Sequence, residues 1–416
     1  MMEYELKDSG IQWLGNIPAD WTITRGKNIL TLLSRDVSDD DDVITCFRDG
    51  EVTLRKNRRE SGYTIAMKET GYQGIEVGDL VVHGMDGFAG AIGISDSRGK
   101  GTPVLNVMDS SENKLYLMFY LRALAYKDVF MSLSTGIRIR SCDLSWNKIA
   151  NLPFLIPTTK KLQSDIALFL KNEVDKINSI ITEANETKDM YSEMKRSLIY
   201  ECTQHGLMTN RRMKDSGVEW IGEIPENWSV QKVKFLCDFK AGVGHENSWD
   251  YNGRYVIVNS RFVSTGGEAK KYTEEALSPL NEGDICIVLS DLPNGRALSR
   301  CYYIDKNDTY TLNQRVGAFY NYEMNGLYFM YAMDRNKGLL RYDDGTNQTN
   351  LKYSEVLNCY VTVPPRKEQD EIAEYLKDRC SQIDIMIQDK EDLLEALEEY
   401  KRTLVYEAVT GKRKVV

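Results

Sequence analysis

The feature that most constrains this chain is a stretch of sequence that occurs twice. Leu6–Ile23, LKDSGIQWLGNIPADWTI, returns at Met213–Val230 as MKDSGVEWIGEIPENWSV. The two copies lie 207 residues apart, since Trp21 corresponds to Trp228. Nine positions are identical in fixed register, which chance does not produce in a chain with six Trp and nine Pro. The protein is therefore one unit written twice, and its fold must repeat as well.

Length and composition indicate a globular protein. The 416 residues predict two to four domains, at roughly 100–200 residues per domain. No window of about 18 apolar residues occurs, so we expect no membrane contact. The N-terminus, MMEYELKDSG, lacks the basic region and apolar run of a secretory signal. The eight cysteines are scattered without CxxC spacing, so reduced thiols in a cytoplasm are expected rather than disulfides or zinc.

The net charge of −9 is unevenly spread along the chain. Taken alone, an acidic balance argues against nucleic-acid binding. Residues 366–401, however, contain twelve Asp or Glu and six Lys or Arg, and thus contribute 6 − 12 = −6 of the total. The remainder of the chain is closer to neutral and carries local basic loops.

Two long segments show helical periodicity. From Lys160 to about Glu201 there is almost no Gly or Pro, and apolar residues recur at alternating steps of four and three. A second seam of the same spacing lies 206 residues further on. The apolar seam positions are Ile166, Leu170, Ile177, Ile180, Met194 and Leu198, then Ile372, Leu376, Ile383, Met386, Leu393, Leu397 and Leu404.

These patterns predict a mixed α+β protein with four segments. They are globular domains at residues 1–158 and 206–364, and spacer helices at residues 159–205 and 365–416. Two helices with matching seams should pair, and a pseudo-twofold axis makes them antiparallel. At about 60 Å each they would hold two similar modules apart, which suits a bipartite DNA target. We interpret Trp21 and Trp228 as packing residues where each domain meets a helix end.

Candidate DNA contacts lie in the loops where the two halves differ. Arginine reads guanine bidentately and also binds phosphate, lysine suits phosphate, and Asn or Gln can read adenine. Two simpler interpretations stay open: Arg55–Arg59 as a solvated charge run, and Gln314–Arg315 as a strand cap. The candidates are Arg48, Arg55, Lys56, Arg58, Arg59, Arg138, Arg140, Arg261, Lys270, Lys271, Arg296, Gln314, Arg315, Thr346, Asn347 and Gln348.

Enzyme motifs are incomplete. An adenine methyltransferase uses an Asn/Asp-Pro-Pro-aromatic motif, and Asn151–Phe154 lacks the central proline. The Glu-Met-Lys at 193–195 resembles part of a nuclease motif but falls inside a predicted helix. No GxxxxGK[ST] occurs, so ATP-driven translocation would need another chain. We therefore expect no catalysis here, and the competing class is a coiled-coil scaffold whose repeated domains bind proteins.

The whole chain resembles the specificity subunit of type I restriction-modification systems. The resemblance rests on SGxxWxGxIPxxW at Ser9–Trp21 and Ser216–Trp228, the helix junctions at Pro157 and Pro364, and KRxLxYE from Lys195 and Lys401. It implies two α/β target recognition domains, each reading half of an interrupted double-stranded DNA sequence. It also implies that two long antiparallel coiled-coil helices dock two methyltransferase (modification) subunits, which restriction endonuclease/translocase subunits join. S-adenosylmethionine, Mg²⁺ and ATP would then belong to the partner subunits, and this chain would hold no cofactor.

Overall fold

A computed structural model describes residues 5–58, 70–132, 144–245, 250–292, 297–345 and 347–415. It divides the chain into two compact units that do not follow chain order. Unit 1 comprises Met1–Asn185 and Glu391–Val416, and unit 2 comprises Glu186–Lys390. Each unit thus contains one globular half and a segment of each long helix. None of the helices in the described ranges has the length and apolar character required to cross a membrane.

In its described residues, the first globular half contains short strands and three α-helices, followed by one long helix. The strands are Leu6–Asp8 (β1), Asn16–Pro18 (β2), Thr22–Arg25 (β3), Leu30–Leu32 (β4), Ile44–Cys46 (β5), Val52–Leu54 (β6), Gln73–Ile75 (β7), Leu80–His83 (β8), Ile92–Ile94 (β9), Gly99–Gly101 (β10), Leu105–Ser110 (β11) and Pro153–Ile156 (β12). The α-helices are Lys114–Tyr126 (α1), Val129–Ser132 (α2), Trp146–Asn151 (α3) and the long Lys160–His205 (α4).

The second half repeats this plan with additional strands. They are Met213–Asp215 (β13), Glu223–Pro225 (β14), Ser229–Lys232 (β15), Asp238–Ala241 (β16), Tyr255–Val258 (β17), Tyr272–Thr273 (β18), Pro279–Leu280 (β19), Ile285–Val288 (β20), Ser290–Asp291 (β21), Cys301–Tyr303 (β22), Tyr310–Leu312 (β23), Val316–Tyr320 (β24), Thr349–Asn350 (β25) and Tyr360–Val363 (β26). The helices are Ser260–Ser264 (α5), Gly326–Met333 (α6), Lys337–Leu340 (α7), Tyr353–Leu357 (α8) and the long Arg366–Val409 (α9).

Both halves contain the same four-stranded antiparallel sheet. Its order is β4-β11-β8-β9 in unit 1 and β16-β24-β20-β22 in unit 2. Unit 2 has a second four-stranded sheet, β18-β17-β23-β19, in which β17 and β23 run parallel. The apolar strand β20 is buried along its whole length, because it lies inside its sheet and both faces are covered. The second sheet of unit 2, β18-β17-β23-β19, carries the candidate interface described below.

The helix after the main sheet is capped in the same way in both units. The side chain of Asn113 accepts a hydrogen bond from the Tyr116 amide at the start of α1, and Asn325 accepts one from Tyr328 at the start of α6. In turn, the backbone amide of each asparagine donates to a buried glutamine at the start of a long helix. The distances are 3.0 Å from Asn113 N to Gln163 Oε1 and 2.8 Å from Asn325 N to Gln369 Oε1. The repeat thus preserves individual hydrogen bonds.

The segments of α4 and α9 run antiparallel within each unit, as predicted. In unit 1, Lys401 Nζ lies 3.1 Å from Asn178 Oδ1, and Leu404 and Val409 share a core with Ile166. Residue numbers therefore rise along α9 as they fall along α4. In unit 2, Lys195 forms an ion pair of 2.6 Å with Asp384, and Cys202 shares a core with Ile372. The same order holds there.

Four positions of the predicted apolar seam are exposed instead of buried. Ile180, Met194, Met386 and Leu393 are between 37% and 47% exposed. Glu173 and Arg379 fall on the same four-three spacing, but the adjacent Val174 and Cys380 are buried instead of them. Leaving a charged side chain in water costs less free energy than burying it unpaired. The remaining seam positions are buried or partly buried against the cores. They are Ile166, Leu170, Ile177, Leu198, Ile372, Leu376, Ile383, Leu397 and Leu404.

The repeated tryptophans are packing residues, which confirms the prediction. Trp21 and Trp228 are fully buried in the cores of their respective units. The indole nitrogen of Trp228 donates to Glu368 Oε2 at 2.8 Å, at the start of α9. The motif therefore joins the beginning of each globular half to the long helices of its unit.

Candidate nucleic-acid interface

A groove of about 600 Å³ in unit 2 brings four predicted DNA contacts together. Arg261, Lys271, Gln314 and Arg315 line it, although up to 54 residues separate them in sequence. All four side chains are exposed. The remaining lining residues are His245, Ile257, Asn259, Ser260 and Asn313. The groove therefore combines cationic groups with amide side chains, which are the residue types used to bind phosphates and to read base edges.

The second sheet of unit 2 explains why these residues meet. Strands β17 and β23 are parallel neighbours, with Val258 paired to Leu312 at their carboxyl ends. Asn259 and Asn313 follow these two strands directly, so both lie at the same edge of the sheet. Arg261 lies in the short helix after β17, and Gln314 and Arg315 follow Asn313. The backbone amide of Asn313 donates to the carbonyl of Val258 at 3.1 Å, which ties the two strand ends together.

The charge of the groove is positive. None of its described lining residues is acidic. Arg261 and Arg315 form no ion pair within the described residues, so their guanidinium groups can be neutralised by an external anion. Burial lowers the pKa of His245, whose Nε2 lies 3.1 Å from Thr311 Oγ1. The cationic character therefore comes from Arg261, Lys271 and Arg315.

Two further predicted residues lie beside this groove. Gln348 Nε2 donates to Ser290 Oγ at 2.8 Å, and the hydroxyl of Ser260 donates to the Ser290 carbonyl at 3.5 Å. Gln348 is thus connected through Ser290 to Ser260, which lines the groove, and its own side chain is exposed. The exposed Lys270 immediately precedes Lys271. Asn347 is exposed, and its backbone amide donates to Asp344 Oδ1 at 3.1 Å.

The predicted contacts in unit 1 have a different environment, because carboxylates accompany three of the four that lie in the described residues. Arg48 pairs with Asp86 at 2.8 Å, and Lys56 pairs with Asp42. Arg58 pairs with both Asp49 and Glu51, at 2.7 Å and 2.9 Å, and its guanidinium carbon lies 4.2 Å from the Phe47 ring centroid. The Arg55 Nε donates to Thr45 Oγ1 at 3.2 Å. These ion pairs are solvent-exposed, so each contributes little stability and can be exchanged for a phosphate.

Five predicted residues lie outside the described part of the chain: Arg59, Arg138, Arg140, Arg296 and Thr346. Conversely, Asn259, Ser260, Asn313 and His245 line the groove but were not predicted. Asn259 directly follows the apolar run YVIV, and Asn313 directly precedes Gln314. A search for polar residues at strand ends would have found both asparagines, whereas nothing in the sequence pairs the two strands.

Comparison with known proteins agrees with this architecture. Residues 225–396 match the family model of the type I restriction modification DNA specificity domain, a range that includes every groove residue. The type I restriction enzyme MjaVIII specificity subunit of Methanocaldococcus jannaschii is 27% identical over 317 residues, which are 72% of this chain and 70% of that protein.

A solved structure shares the fold of the whole chain. It is a chain from work on the complex assembly and conformational transition of the type I R-M system. It superposes with a TM-score of 0.70 at 10% identity, covering 95% of this chain and 99% of the other. The fold of two mixed α/β units with long antiparallel coiled-coil helices is thus shared with a protein from a type I R-M system. Residues 225–396 thus carry the type I restriction modification DNA specificity domain, and the chain as a whole is similar to type I restriction enzyme specificity subunits.

Proposed function

We propose that units 1 and 2 each read one half of a bipartite double-stranded DNA target for a type I restriction-modification complex. The groove of unit 2 carries this proposal, because it gathers Arg261, Lys271 and Arg315 around amide side chains with no carboxylate among its described lining residues. Phosphate contacts would set the position on the duplex, and Gln314 and Gln348 would be placed to read base edges. In unit 1 the exposed cations Arg48, Lys56 and Arg58 would exchange their carboxylate partners for phosphates.

The long helices would dock two methyltransferase subunits. Each unit exposes a pair of apolar side chains on these helices: Ile180 and Tyr400 in unit 1, and Met386 and Met194 in unit 2. The two pairs are related by the repeat, since Met386 lies 206 residues after Ile180 and Tyr400 lies 206 after Met194. Exposed apolar side chains at equivalent places suit two copies of the same partner.

In this proposal the chain itself supplies recognition and no catalysis, and it acts in the cytoplasm. Methyl transfer from S-adenosylmethionine, and Mg²⁺- and ATP-dependent cleavage, would be carried out by the methyltransferase and restriction subunits.

The groove can be tested in the assembled complex. Methylation sequencing of cells carrying the complete system gives the target, and the specificity subunit is then purified with its methyltransferase. We expect R261A/R315A to lower affinity for that duplex by about 10–100-fold and to reduce the salt dependence of binding by about two phosphate contacts. Base changes in one half-site should also be discriminated less well than by the unsubstituted complex.

Lys306 provides a matched control. It is exposed on the same unit but precedes β23, whereas Gln314 and Arg315 follow that strand. We expect K306A to retain affinity within about twofold. Unchanged affinity and specificity in R261A/R315A would remove the groove from the DNA interface and favour a protein-binding scaffold.

A further inference from the structure

Unit 2 contains a second cavity, of about 330 Å³, beside the last turns of α4. Its walls include the aromatic rings of Tyr200, Trp220, Tyr331 and Tyr360, together with Ala332. Three basic and two acidic residues also line it, so the cavity has no strong net charge that would favour a charged ligand. An engineered apolar cavity of about 150 Å³ is sufficient to bind benzene, and this one is larger.

The repeat identifies what occupies the corresponding space in unit 1. The equivalent caps, Asn113 and Asn325, align α1 with α6, so Ala332 corresponds to Tyr120. The buried hydroxyls of Tyr116 and Tyr328 confirm this alignment. The Tyr116 oxygen lies 2.8 Å from the Leu155 carbonyl, and the Tyr328 oxygen lies 3.3 Å from the carbonyl of Thr362, the residue that matches Leu155.

In unit 1 the ring of Tyr120 fills this position. Its centroid lies 6.4 Å from that of Trp13 and 5.3 Å from that of Phe154, and its hydroxyl donates to the Pro153 carbonyl at 2.8 Å. The matching residues in unit 2 are Trp220, Val361 and Tyr360, and all three line the cavity. Ala332 thus lacks the phenol ring of Tyr120, and the ring of Tyr360, whose centroid lies 6.2 Å from that of Trp220, forms one wall of the space that remains.

The end of α6 widens the same space. Helix α1 continues to Tyr126, whereas α6 ends at Met333 and Arg335 takes a left-handed backbone conformation with φ of 54°. The chain therefore turns away one turn after Ala332.

Two polar atoms beside the cavity have no hydrogen-bond partner among the described residues. They are Oε1 of Gln204, a residue that is only 8% exposed, and Nε1 of Trp220. A buried polar atom without a partner costs free energy that a ligand can recover. A hydroxyl group both donates and accepts, so it can serve either atom.

We propose that this cavity binds a phenol-type aromatic ring, supplied either by a small molecule or by a tyrosine side chain of a partner protein. The ring lies beside Ala332, near the place that Tyr120 occupies in unit 1, and packs against the contacting rings of Trp220 and Tyr360. This site is separate from the DNA-binding groove and from the exposed apolar pairs on the helices, so it does not depend on either assignment.

The probe is p-cresol, the side chain of tyrosine, added to the full chain. Calorimetry and ligand-observed NMR should find one site per chain, with Kd on the order of 1 mM or tighter for a ligand of this size. A332Y should place the ring in the cavity, raise the unfolding temperature and abolish binding. Y120A should open the equivalent space in unit 1 and give two sites per chain.

If A332Y does not fold, the smaller A332L fills part of the cavity and should weaken binding at least tenfold. Absence of p-cresol binding to the unsubstituted chain at 10 mM, a concentration about tenfold above that Kd, would overturn the proposal. So would binding that folded A332Y or A332L leaves unchanged. Adding the methyltransferase subunit identifies the source of the ring: displacement of p-cresol assigns it to a tyrosine of that partner, and retention assigns it to a free small molecule.

Discussion

The two units use the same internal framework but present different surfaces. The framework repeats down to single hydrogen bonds, as in the amides of Asn113 and Asn325 that donate to Gln163 and Gln369. The surfaces differ in the partners of their basic side chains. Arg58 in unit 1 forms ion pairs with two carboxylates, whereas Arg261 and Arg315 in unit 2 line a groove whose described lining residues include no Asp or Glu. A duplicated protein can thus keep its packing while each copy presents different charges at its surface.

The largest expected effect tests the shared framework. Replacing Trp228 or Trp21 by alanine should cost about 3–5 kcal/mol of unfolding free energy, because each removes a fully buried indole from a core. Urea denaturation measures the cost, and hydrogen exchange locates it in the affected unit. W228F is the control, since it keeps most of the ring and loses the bond to Glu368, and we expect it to cost about 1–2 kcal/mol. Equal costs for W228A and W228F would show that packing is not the main contribution.

The next effect tests whether the repeat gives two equivalent docking places. M194D/M386D in unit 2 should reduce the number of bound methyltransferase subunits from two to one in native mass spectrometry, because each aspartate places a charge on an apolar contact. I180D/Y400D should do the same for unit 1, and all four changes together should leave none.

N185D is the matched control for docking. Asn185 is exposed on α4, so the change adds a negative charge without removing an apolar side chain. We expect two methyltransferase subunits to remain bound. Retention of both subunits by the fourfold variant would contradict docking at these positions.

The smallest expected effect concerns Glu368 at the start of α9, which corresponds to Leu162 at the start of α4. Burial opposes ionisation of Glu368, but hydrogen bonds from Arg211, Asn227 and Trp228 outweigh it, and the pKa of this carboxyl lies below its ordinary value of 4.5. A depressed folded-state pKa stabilises the protein fully above pH 4.5, and this stabilisation is lost as the pH falls through the folded-state value. E368Q should therefore cost about 2 kcal/mol at pH 7.

The pH profile distinguishes this charge from simple packing. The difference in unfolding free energy between E368Q and the unsubstituted chain should shrink as the pH falls below 4.5. Leu162 occupies the corresponding position in unit 1, so L162Q should give a stability change that does not vary with pH. A pH-independent cost for E368Q would show that the ionised carboxylate is not responsible.

The repeat, the two long helices and the burial of Trp21 and Trp228 could all be predicted from the sequence. Each follows from local patterns: identical residues in register, apolar residues at steps of three and four, and the absence of Gly and Pro. The helices begin at Lys160 and Arg366, each one residue after the predicted start. The Glu-Met-Lys at 193–195 lies inside α4, as predicted.

The sequence by itself determined that the chain is duplicated and that helices alternate with mixed domains, because periodicity depends only on residues a few positions apart. Only the tertiary structure decided which positions of the α4 seam are buried, since Val174 is buried and Ile180 is 45% exposed. It also decided that Arg261 and Arg315 share a groove, since this requires β17 and β23 to be parallel neighbours across more than fifty residues of intervening chain. The cavity at Ala332 has the same origin, because the loss of one ring becomes a cavity only when its neighbours keep their places.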